Sequence, residues 1–240
     1  MNKLVSLTLF AALVFGTAAL ANAQCPSGCL FYGGDFDPNN PNANGLDNEN
    51  DAIIGGNPYG AATYQNFINS QTWNVTGLFT NNLIGYTPTS GYWEIREGVS
   101  EGNGGTLIAS GTGAITNIPT GRGGFGYTEY HNEIDGLNVT LTPGMYWEAV
   151  VPVCTTCEAR SFNSNSLEGL NAVGTQISDL QFLNSLFLEN FINADNEGVF
   201  PTFSSGVLGT AVPEPASLIM LGSGFIAAAR FVRNNSRRRQ

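Results

Sequence analysis

The chain has 240 residues, with nine Lys and Arg against 19 Asp and Glu, a net charge of −10. Lys3, Arg230, Arg233, Arg237, Arg238 and Arg239 sit at the two ends, so residues 24–211 keep three arginines against 18 acids, a net of −15. A body this acidic repels phosphate backbones, which excludes nucleic acid as a partner, and roughly 190 residues suffice for one domain with its own core.

In chain order, Lys3 precedes an apolar run over residues 4–20 and then Ala21-Asn22-Ala23. That is the pattern of a cleaved signal peptide over residues 1–23, leaving Gln24 as the mature start. Four cysteines follow in two close pairs, Cys25 with Cys29 and Cys154 with Cys157. In an exported chain they read as disulfides, with three connectivities open. Local pairing would close two small loops; cross-pairing would staple the N-terminal arm to the end of a central strand. Four thiolates at this spacing also suit zinc, but an oxidising compartment opposes it. A redox role for Cys154 and Cys157 needs a helix, and the residues that follow are loop-like.

Residues 24–63 read as a polar arm, and the Asn, Asp, Gly and Pro of residues 33–60 predict a loop. Asp35, Asp37 and Asn39 alternate like the first ligands of a calcium loop, and Asp47, Glu49 and Asp51 repeat the alternation. Asn40 stands where an EF-hand needs glycine and Leu46 where it needs glutamate, so the expectation is a looser Ca²⁺ loop set against a solvated linker.

Residues 64–211 carry short β-type runs. Trp73, Val75 and Phe79 fall in one, and Tyr92-Trp93-Glu94-Ile95-Arg96 and Leu137-Asn138-Val139-Thr140-Leu141 alternate cleanly. Thr142-Pro143-Gly144 predicts a hairpin into residues 145–151. Thr106-Leu107-Ile108-Ala109-Ser110 predicts a further strand, and residues 203–209 a closing one. Over residues 176–194 helical and extended spacing compete, and the β-rich context favours strand or loop. Glycine-rich turns between many short strands predict an all-β fold, an antiparallel β-sandwich or jelly roll.

Catalytic patterns are weak. Gly98-Val99-Ser100-Glu101-Gly102 matches a nucleophile elbow, but Asn103-Gly104-Gly105 follows where a helix is required, so a polar turn is expected. Gly121-Arg122-Gly123-Gly124-Phe125-Gly126 matches a dinucleotide loop without its strand-helix-strand unit. His131, the sole histidine, reads as a solvated loop residue. Glu94, Glu148 and Glu158 could supply a glycosidase carboxylate pair, the first two beside Trp93 and Trp147 in a sugar-stacking cleft.

The C-terminal 29 residues organise the rest. Val212-Pro213-Glu214-Pro215-Ala216-Ser217 opens them, an uncharged run over residues 218–229 follows, and Arg230, Arg233, Arg237, Arg238 and Arg239 close them. A single transmembrane helix over about residues 216–232 would be short, with Arg230 snorkelling, and the arginines mark the cytoplasmic side. These residues resemble the PEP-CTERM sorting signal, with Pro213, Glu214 and Pro215 as its motif. The resemblance implies processing by an exosortase, a membrane-embedded transpeptidase-like enzyme of Gram-negative bacteria that make exopolysaccharide. It implies passage through the inner membrane, then display at the surface or release.

The body is similar, more loosely, to the secreted β-sandwiches found ahead of such tails, through residues 92–96, 144–147 and 203–209. The reading is a non-enzymatic structural or adhesive component of the envelope or exopolysaccharide matrix. A carbohydrate-binding module using exposed Trp or Tyr is the alternative, and a glycan-cleaving enzyme the third.

Overall fold

A computed structural model describes residues 25–213, apart from residues 55, 56, 156, 158, 168 and 186. The expected signal peptide and membrane helix lie outside these residues, as do Glu214 and Pro215. Among the described residues no helix is long and apolar enough to cross a membrane.

Two seven-stranded sheets make up the body. The first holds β1 (Cys29–Tyr32), β2 (Gly45–Asp47), β5 (Trp73–Ile84), β8 (Thr116–Gly124), β9 (Tyr127–Leu141), β11 (Ser161–Ser164) and β14 (Ser205–Ala211). The second holds β3 (Glu49–Ile54), β4 (Asn57–Asn69), β6 (Ser90–Glu97), β7 (Thr106–Ala114), β10 (Gly144–Val153), β12 (Phe182–Ser185) and β13 (Ile192–Asn193). β5 is the spine of the first sheet: β9 follows one edge, and β14 and β11 lie end to end along the other. Pairing is antiparallel, except for one parallel contact between Val153 and Asn50.

Alternation explains why these segments are strands. Trp73 and Val75 face inward while Asn74 and Thr76 are exposed, and a bulge between Val75 and Gly77 then resets the face so that Leu78 is buried. Trp73, Leu78 and Ile134 of the first sheet meet Phe67, Trp93 and Val150 of the second in one apolar core. Phe67 and Trp73 stack with ring centroids 5.7 Å apart. Each such side chain contributes about 1.5–3 kcal/mol by burial.

Three sequence expectations need correction. Thr142-Pro143-Gly144 does not close a hairpin: β9 pairs with β5 and β8, and β10 with β4 and β6. The turn is a corner between sheets, because Ile134 and Leu141 on β9 pack face to face with Tyr146 and Val150 on β10. Residues 33–60 are not all loop, since β2 and β3 lie within them and β4 runs from residue 57 past residue 64 without a break. His131 is 4% exposed, not solvated. It sits mid-β9, ring nitrogens 2.9 Å from Asn81 Oδ1 and 2.8 Å from Glu133 Oε2, and Glu133 is held below the usual carboxylate range by that hydrogen bond.

The half of the interior beyond the apolar core is polar. Asn163 on β11 crosses to the other sheet, donating to Thr63 Oγ1 at 2.8 Å and to Ser205 Oγ at 2.9 Å. Asn48 donates to Val150 O at 2.8 Å, and Asn82 to Ser161 Oγ at 2.7 Å. Each buried amide needs such partners, because an unpaired one costs about 1–3 kcal/mol. The strand-poor segment after residue 176 covers the outer face of the second sheet: Trp147 donates to Leu180 O at 2.8 Å, and Phe191 lies 5.0 Å from Tyr64. This agrees with the strand-or-loop expectation. Of the three cysteine connectivities the structure has the local one, Cys25–Cys29 and Cys154–Cys157.

Candidate functional site

The proposed calcium ligands are distributed between two arginines and a turn. Asp35, 7% exposed, accepts from Tyr32 Oη at 2.6 Å and Asn171 Nδ2 at 2.6 Å, and pairs with Arg122 Nη1 at 2.7 Å. Arg122 also holds Glu129 at 2.6 Å, so it joins the arm to the β8–β9 hairpin. Asp47 pairs with Arg160 at 2.6 Å and accepts from Tyr59; Glu49 accepts from Arg160 Nε and, at 2.8 Å, from Ser161 N. Burial pushes Glu49 up, opposed by Arg160. Asp37 caps its own turn, taking the Asn39 N–H at 2.9 Å. Asp51 belongs to β3. Among the described residues no three acidic, His or Cys side chains gather to hold a metal.

Arg96 completes a pattern, pairing with Glu94 and, at 3.1 Å, with Glu189. Each of the three arginines of the body thus holds two carboxylates. Their scarcity in an acidic chain was the signal in the sequence; their partners, as far away in the chain as Asp47 is from Arg160, were not visible there.

Glu94 and Glu148 do not form a carboxylate pair. In the β6–β10 register Glu94 opposes Ala149 and Glu148 opposes Ile95. Opposed residues share a face and neighbours alternate, so Glu94 and Glu148 point to opposite faces of the sheet. Glu94 accepts from Tyr64 at 3.0 Å, from Tyr92 and from Arg96. Glu148 is 1% exposed, and burial pushes its carboxyl well above the ordinary range. The Ser205 hydroxyl opposes that shift, yet it donates to Thr80 at 3.4 Å, and both Glu148 oxygens lack a hydrogen-bond partner. Glu158 lies outside the described residues. Trp73, Trp93 and Trp147 are all buried, so no tryptophan offers a stacking surface. Ser100 forms the polar turn expected of it, exchanging backbone bonds with Asn103 at 2.9 Å. No helix follows Gly121–Gly126; this stretch is the β8–β9 hairpin.

That hairpin builds the concave site. Phe125 and Gly126 form its two-residue tip, both at positive φ (55° and 85°), as hairpin turns of this length favour. A phenylalanine there is strained, and strain of this kind concentrates at functional positions. The ring is 66% exposed. Beside it a cleft of about 150 Å³ is lined by Asn44, Gly45, Leu83, Phe125, Tyr127 and Phe162. A second, of about 320 Å³, is lined by residues 84–87, 126–128 and Tyr130. Tyr127 lines both, edge-on to Phe162 at 5.6 Å. The Tyr86 hydroxyl, its pKa raised by burial, donates to Pro152 O at 3.4 Å. Arg160 stacks on Phe162 at 5.0 Å and so fixes that wall.

The cleft lies where β5 ends, at Ile84, while β14 ends at Ala211 opposite Trp73, where β5 begins. Twelve residues of strand separate the two, roughly 35 Å. Residues 211–238, which start on the last residue of β14, match the family model of the PEP-CTERM protein-sorting motif. No curated protein and no solved structure matches the chain. The body therefore ends in a PEP-CTERM sorting motif, and that motif implies processing by an exosortase and export to the cell surface or beyond.

Proposed function

We propose that the body is a non-catalytic, adhesive component of the cell surface or exopolysaccharide matrix, and that it contacts glycan through the aromatic cleft. The observation that carries this reading is position: the cleft stands at the end of the sandwich remote from the sorting tail. A chain held by that tail presents Phe125, Tyr127 and Tyr130 outward. An aromatic wall with polar residues around it suits a sugar ring, whose apolar face stacks while its hydroxyls find donors and acceptors.

The test is binding of the secreted protein to exopolysaccharide and to a glycan array, alongside Phe125→Ala and Tyr127→Ala. Loss of one aromatic anchor should weaken binding about 10- to 100-fold with the thermal midpoint preserved and no reducing sugar released. A wild-type protein that binds no glycan, or variants that bind as well as wild type, would overturn the reading. Reducing-sugar release lost in Glu148→Gln would favour the enzyme instead.

A further inference from the structure

The segment leading into β14 places a buried hydroxyl against a buried amide. Thr202 is 3% exposed and Gln65, midway along β4, is fully buried. Thr202 Oγ1 lies 3.0 Å from Gln65 Oε1 and 2.7 Å from Gln176 Oε1. The Phe203 backbone N–H also donates to Gln65 Oε1, at 2.6 Å, so two donors converge on one carbonyl oxygen. The amide nitrogen is held separately, donating to Asn66 O at 2.8 Å and Gln176 Oε1 at 2.6 Å.

Directly opposite Gln65 in the β4–β10 register stands Glu148, whose side chain therefore shares its face. Both its oxygens are buried and unpartnered. Gly33 packs so closely that a Cβ there would come within 2.8 Å of Thr202 Oγ1 and 2.0 Å of Phe203 O.

We propose that Thr202 and Gln65 condense into an intramolecular ester, Thr202 Oγ1 to Gln65 Cδ, releasing ammonia. The hydroxyl oxygen attacks Cδ and the new C–O bond displaces the carbonyl electrons onto Oε1, where the Phe203 N–H stabilises them as an oxyanion-hole donor would. As the carbonyl re-forms, the C–N bond breaks and nitrogen leaves with its electron pair. It carries its own two hydrogens and gains the Thr202 proton, which Glu148 relays: the acid gives a proton to the departing nitrogen and recovers one from the hydroxyl. Nothing is oxidised or reduced, and Glu148 ends as it began.

An amide is a poor electrophile and a hydroxyl a weak nucleophile, so the reaction depends on fixed proximity in a site closed to water. The same exclusion protects the ester from hydrolysis. A hydroxyl is the nucleophile this body can offer, because its sole lysine, Lys3, lies ahead of residue 24. The link would also do what the two disulfides, closing separations of 4 and 3 residues, cannot: it joins positions 137 apart.

Peptide mapping of the reduced, secreted protein tests this. The expected result is a branched peptide joining the segments that hold Gln65 and Thr202, one ammonia lighter than their sum and split by hydroxylamine. The branch assignment decides, not the intact mass, because cyclisation of Gln24 at the mature N-terminus also sheds ammonia. The branch should be absent in Thr202→Val and Gln65→Ala, retained in Thr202→Ser and Gln176→Ala, and reduced in yield in Glu148→Gln. Unbranched peptides with intact Gln65 and Thr202 in folded wild-type protein would overturn the proposal, whatever the variants do. An unchanged yield in Glu148→Gln would overturn the proton relay.

Discussion

Replacing Glu148 by glutamine should make the body more stable at neutral pH, and by an amount that grows with pH. The side chain is 1% exposed and neither oxygen has a partner, so burial disfavours its charged form and raises its pKa. A group whose folded pKa exceeds its unfolded value contributes fully below the unfolded pKa and loses that contribution as pH rises toward the folded one. Above a glutamate's unfolded value of about 4.3, folding takes up one proton and stability falls by about 1.4 kcal/mol per pH unit. By pH 7 the loss is at most about 3.7 kcal/mol, and it stops growing where the folded carboxyl itself ionises. Glutamine keeps the shape and removes the titration. At about 2–4 °C per kcal/mol for a domain near 190 residues, the variant should melt up to about 15 °C higher at pH 7. Calorimetry of both proteins between pH 4 and pH 7 measures the gap. Its widening, not its absolute size, is the readout, because the substitution also removes the acid beside Gln65 and Thr202. A gap that stays constant, or a wild type that gains on the variant as pH rises, would refute the reasoning.

Arg122→Met should cost about 3–5 kcal/mol, because it strands Asp35 and Glu129 in the interior. Urea unfolding should show a lowered midpoint at unchanged slope. Millimolar calcium should leave the thermal midpoint where a chelator puts it, since Arg122 and Arg160 already pair with Asp35, Asp47 and Glu49; a clear rise would favour the calcium loop. Alanines at Pro213, Glu214 and Pro215 should hold the unprocessed chain in the inner membrane, as fractionation would show, whereas normal release would count against exosortase sorting.

The strands were legible where one face is apolar and the other polar, as at Trp73 and Val75 or along residues 92–96. They were not legible where glycine, asparagine and aspartate occupy them, as in β2 (Gly45–Asp47), because these residues are rare in strands and common in turns. His131 misled for a related reason. A polar side chain reads as solvated unless its partner is known, and Asn81 lies 50 residues away. Alternation placed Glu94 and Glu148 on strands, but only the register shows that they face opposite ways. The aromatic cleft draws Tyr86, Tyr127 and Phe162 from three separate segments, so no local pattern announced it. The sorting tail was legible because its recognition is linear: a proline-framed acid, an apolar run and a basic end need no fold to be read.

The separation of cleft and tail also sets how the body carries load. If the cleft binds glycan as proposed, tension between that glycan and the tail would run along β5 and β14, which pair antiparallel through seven register positions from Ser205↔Thr80 to Ala211↔Trp73. β1 borders the other edge of β14, and Gly209 N donates to Gly28 O at 2.8 Å. Force parallel to a strand shears these bonds together, whereas force across the strand opens them one at a time. A bond worth about 0.5–1.5 kcal/mol alone therefore resists far better in the first geometry. Single-molecule extension between the tail and Thr87, beside the cleft, should rupture at a higher force than extension between the tail and Asn74, which lies opposite Thr210 beside the tail. Equal forces in the two geometries would mean that β14 is not what bears the load.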